Sequence, residues 1–149
     1  MKQLVSVKII LLCIGFLIHG SIKSQTITVS DMMKMTSLSK EDMVKYLQKN
    51  YTYVNKVLPD STSNSWHCTR VTYGGVAEYT YSRDTGENKK TIISLTMTYE
   101  NLFNKLKEEV KAMKMKQDDD AYENDKYLII FWAHVDKRPY TYTVEVGAK

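Results

Sequence analysis

The stretch Trp66-His67-Cys68-Thr69-Arg70-Val71-Thr72-Tyr73-Gly74-Gly75-Val76-Ala77-Glu78-Tyr79-Thr80-Tyr81-Ser82 sets two runs rich in β-branched and aromatic residues around a glycine pair. Gly74-Gly75 supplies the positive φ values of a two-residue hairpin turn, so residues 66–73 and 76–82 are predicted antiparallel strands. No lysine or helix start follows the glycines, which sets aside a phosphate loop. Side chains alternate along a strand, so Cys68, opposite Tyr81 in this register, shares a face with Trp66, Ala77 and Tyr79. His67, opposite Ser82, lies on the other face with Thr69 and Thr80.

Toward the N-terminus, residues 52–57 read as a strand, and residues 58–65 as a turn-rich connector. Ser39, with Asp42 three residues later, resembles a capping box opening a helix to Asn50, with Met43, Val44 and Leu47 on one face. Ser30 precedes a shorter helical turn carrying Met32, Met33 and Met35. Toward the C-terminus, residues 91–97 form a strand with Ile93, Leu95 and Met97 on one face. Thr98 then caps the most strongly patterned helix, in which Tyr99, Leu102, Phe103, Leu106, Val110 and Met113 make one apolar stripe.

Residues 127–135 are apolar on both alternating faces, which predicts a central strand covered on both sides. After a turn at 136–139, residues 140–146 alternate as a half-buried strand near an edge. The order of elements predicts an α+β fold: N-terminal short helices, and an antiparallel β-sheet of about five to six strands packed against one long amphipathic helix.

The first residues have the three-part form of a secretory signal: Lys2 and Lys8, the apolar run Ile9 to Ile18, then a short polar stretch. The run is too short for a membrane-spanning helix, which needs about 20 residues. Residues 1–24 are therefore expected to be a cleaved signal peptide and residues 25–149 a single exported domain, with no transmembrane segment after signal removal. The formal net charge of +4 includes Lys2, Lys8 and Lys23; their removal leaves 18 basic against 17 acidic residues. Nucleic-acid binding loses its electrostatic basis at that balance. Cys13 leaves with the signal, so Cys68 has no intramolecular disulfide partner.

Four constellations invite a chemical reading. Cys68 with His134 and Asp136 would make a thiol hydrolase, although His67 is excluded as Cys68's partner by strand alternation. Asp118, Asp120, Glu123 and Asp125, with Asp119, offer oxygen donors for calcium, but the segment lacks the glycine and terminal glutamate of an EF-hand. Tyr79, Tyr81, Tyr140 and Tyr142 would give a contact surface if the sheet presents them to solvent, since tyrosine is enriched in binding surfaces. Asn50-Tyr51-Thr52 is a glycosylation sequon, relevant only to a eukaryotic secretory route. No cofactor motif is present.

Residues 26–53, with the Ser30-Asp31-Met32-Met33-Lys34-Met35 start and the Ser39-Lys40-Glu41-Asp42 helix entry, resemble the beginning of small uncharacterised exported proteins of Bacteroidota. The layout of residues 91–146 is similar. The resemblance implies a periplasmic or secreted setting and carries over no functional residues. The expected function is a non-enzymatic module that binds a protein, peptide or envelope component.

Overall fold

A computed structural model of the chain describes residues 27–57, 63–72, 75–85, 90–136 and 138–149. The expected signal peptide, Gly74 and most of the 58–65 connector lie outside the described residues. Among these residues three helices, α1 (Val29–Thr36), α2 (Lys40–Asn50) and α3 (Glu100–Ala112), accompany eight strands. These are β1 (Tyr53–Val57), β2 (Ser63–Thr72), β3 (Gly75–Thr85), β4 (Thr91–Met97), β5 (Lys116–Asp118), β6 (Ala121–Glu123), β7 (Tyr127–His134) and β8 (Thr141–Ala148). All pair antiparallel in one sheet of order β1-β2-β3-β4-β8-β7-β6-β5. The expectation of five to six strands against one long helix is thus corrected, among the described residues, to eight strands and three short helices.

Two meanders, β1 to β4 and β5 to β8, meet where β4 pairs with β8, in the register Leu95 to Val144. The strand at 140–146, expected near an edge, lies in the middle of the sheet. The reason is that, among the described residues, helices cover one face of the sheet only. A half-buried alternation then suits a central strand as well as an edge strand. β7, expected to be covered on both sides, buries Ile129 and Phe131 and leaves Leu128 and Trp132 exposed. The missed strands, β5 and β6, are three residues each and contribute Tyr122 alone to the buried core.

The covered face gathers Trp66, Cys68, Tyr81, Ile93, Leu95, Phe131, Val144 and Val146 under Val29, Met32, Met35, Met43, Leu47, Phe103, Leu106 and Val110 from the three helices. Helix ends are held by local chemistry. In α1 the cap is Thr28, forming a reciprocal capping box with Asp31. The Ser39 side chain accepts from the Asp42 N–H at the start of α2, as expected. α3 starts one residue later than the Thr98 cap implied, from Tyr99, which has no side-chain capping bond. Glu109 of α3 accepts from the Val29 N–H at 3.1 Å and ties α1 to α3.

Candidate functional site

Alternation puts the other half of the strand residues on a face that none of α1, α2 and α3 covers. The β2–β3 register is Cys68 to Tyr79 and His67 to Thr80, two residues from the sequence expectation. A two-residue slip preserves faces, so His67 and Cys68 still point oppositely. Following the registers across the sheet gives a row Asn55, His67, Thr80, Thr96, Thr143, Trp132. A parallel row runs Ser65, Ser82, Ser94, Glu145, Ile130.

These rows are bonded into a hydroxyl-rich strip. Thr96 and Thr143 share a hydrogen bond of 3.0 Å between side-chain oxygens, as do Ser65 and Ser82. Glu145 is fixed from both sides: Ser94 Oγ donates to it at 3.4 Å and Trp132 Nε1 at 3.2 Å. The indole is held edge-on by that bond while 46% of Trp132 stays exposed. His67 Nε2 lies 3.9 Å from Glu78 Oε1. On β2, β3, β4, β7 and β8 the open positions carry the carboxylates Glu78, Asp84 and Glu145 and no lysine or arginine.

The open face is broken by one notch. β3 pairs with β2 from Gly75 onward but with β4 only from Thr80, because β4 ends at Met97 and the chain turns away into α3. Among the described residues, Gly75 to Tyr79 therefore has no paired strand on that side. Tyr99 leans across the helix side of the gap, its ring 5.8 Å from that of Tyr79 and its hydroxyl donating to the Val76 carbonyl at 3.2 Å. The depression left there measures about 260 Å³ and is lined on the open side by His67, Val76, Glu78, Thr80, Thr96 and Thr141.

Comparison with known proteins finds no matching family model, no matching curated protein and no matching solved structure. The functional reading therefore rests on the chain's own geometry.

Cys68 is fully buried on the covered face, and burial pushes its thiol up to about 12. His134 is exposed at the end of β7 on the opposite face, four strand positions away, on the order of 19 Å at the usual strand spacing. Asp136 follows in the exposed turn. The three do not form a site.

The acidic segment folds as the β5–β6 hairpin around Asp119, which takes φ +48°, a left-handed conformation that aspartate tolerates in tight turns. Lysines neutralise it: Lys107 bonds Asp120 at 2.6 Å, and Lys116 and Lys149 both reach Glu123. Asp118 and Asp125 are exposed, and no metal-holding group of histidine, cysteine or carboxylate side chains occurs among the described residues.

Of the four expected surface tyrosines, Tyr81 and Tyr142 are buried and Tyr79 is half-buried, all on the covered face, while Tyr140, which precedes β8, is exposed with Arg138 over its ring. The expected four-tyrosine surface is therefore replaced by the hydroxyl, carboxylate and Trp132 array. Its signal was already present in the hairpin, where Thr69 and Thr80 share a face with His67. No helix among the described residues is long and apolar enough to cross a membrane.

Proposed function

We propose that this chain is an exported, non-enzymatic binding module that receives a cationic polypeptide on the open face of its sheet. The observation that carries the reading is that the open positions of β2, β3, β4, β7 and β8 hold Glu78 and Glu145 with no lysine or arginine among them, around an exposed Trp132. Carboxylates arranged without cations attract a positively charged partner and disfavour acidic ones. An amphipathic aromatic side chain, already oriented by a hydrogen bond, is an anchor of the kind that dominates binding energies. Export is supported by the N-terminal sequence pattern.

The test is to express the full chain with its own leader, purify it from the exported fraction, and pan it against random displayed peptides. Selected peptides are expected to be enriched in lysine and arginine. Their affinity should fall roughly tenfold or more in Trp132→Ala and in the double substitution Glu78→Gln with Glu145→Gln. Failure to select peptides, or selection of peptides indifferent to these changes, would overturn the reading. Binding to isolated peptidoglycan sacculi with no peptide selected would overturn the polypeptide assignment. A chain retained in the cytoplasm with residues 1–24 intact would overturn export.

A further inference from the structure

We infer that the notch beside β4 takes up an extended peptide segment as an added β-strand, paired with β3 at Val76 and Glu78. The inference rests on the binding-module reading and specifies how the partner is held. β3 and β8 flank β4, so they stand two strand spacings apart, about 9.5 Å. Beyond Met97 no strand among the described residues follows β4 beside β3, and β8, which begins at Thr141 next to the Met97 partner Tyr142, borders only the mouth of the notch.

The backbone points the same way. The Val76 carbonyl faces the notch, because it accepts from the Tyr99 hydroxyl there. Backbone polar groups alternate in direction along a strand, so the N–H and C=O of Glu78 face the notch too. An unpaired strand edge is a template for a further strand. The outer edge at β5 is less suited to this, since that strand is only 3 residues long. The Tyr99 hydroxyl occupies one acceptor in place of the missing strand.

The two walls specify the occupant. A strand in the notch directs alternate side chains toward the Tyr79 and Tyr99 rings, and the intervening ones toward His67, Glu78, Thr96 and Thr141. The segment that fits alternates apolar residues with basic or hydroxyl-bearing ones over about five residues, the length of the free β3 edge.

The experiment uses the peptides selected on the full chain and two readouts. Peptide binding should slow hydrogen exchange at the Glu78 amide by tenfold or more in the wild-type protein. Glu78→Pro, which removes that N–H while leaving the β2 side of β3 paired, should weaken binding at least tenfold and leave the fold intact. Peptides that bind with no change in Glu78 exchange, yet lose affinity in Trp132→Ala, overturn strand addition and leave the open-face reading standing. Peptides indifferent to both, or the selection of none, overturn both. The exchange measurement needs no substitution, so a misfolded Glu78→Pro protein still leaves a decision.

Discussion

His67 and Cys68 are neighbours in the chain and belong to different environments: the imidazole is half-exposed among threonines, while the thiol is fully buried on the covered face. The same contrast holds for the whole sheet. One face is a packed core of Leu95, Phe131, Tyr81 and Val144, and the other is a hydroxyl strip with Trp132 standing from it. Under the proposed function, stability and recognition fall to alternate residues of the same strands, so a single-residue step separates one role from the other.

The contrast is broken most forcefully by truncation. Leu95→Ala or Phe131→Ala should lower unfolding free energy by roughly 3–5 kcal/mol, whereas Thr96→Ala, one position along, should cost about 1 kcal/mol or less. Urea denaturation measures both, and comparable losses would mean that the faces are not distinct. Next in size is the helix entry: Ser39→Ala removes the α2 cap and should cost about 1 kcal/mol by the same measurement. Trp132→Ala should change stability by about 1 kcal/mol or less while removing peptide binding, a separation that no core residue would show.

The smallest expected effect is an acid one. Burial opposes ionisation of Asp31, but hydrogen bonds from Tyr46 and Thr28, with Lys34 nearby, outweigh it and hold the carboxyl below its ordinary value. A lowered folded pKa adds stability that is complete above the unfolded value of about 4 and is lost as pH falls through the folded one. The melting temperature should therefore fall below pH 4, and less steeply in Asp31→Asn.

Much of the covered face was legible in the sequence. The apolar stripe of α3, the alternation of Ile93, Leu95 and Met97, and the Ser39 cap each express a local rule with one outcome. The β2–β3 turn placed Cys68 inside even though the register differed by two, because faces repeat every two residues. That rule also puts Tyr79 and Tyr81 inside with Cys68, against a tyrosine contact surface. The sheet order was not legible, since β5 and β6 are too short to show a period and β8 alternates in the manner of an edge strand while lying in the centre. The notch depends on where β4 stops relative to β3, a relation between distant segments that periodicity does not carry.

Thiol labelling at two adjacent positions tests the account most directly. Cys68 in the wild-type chain should react slowly near neutral pH until denaturant is added, since its thiol is buried and its pKa raised to about 12. A His67→Cys substitution in a Cys68→Ala background should label rapidly in the native state and become protected when a selected peptide is bound. Rapid labelling of native Cys68, or no protection at position 67 by a bound peptide, would contradict the division between a sealed face and a receiving one.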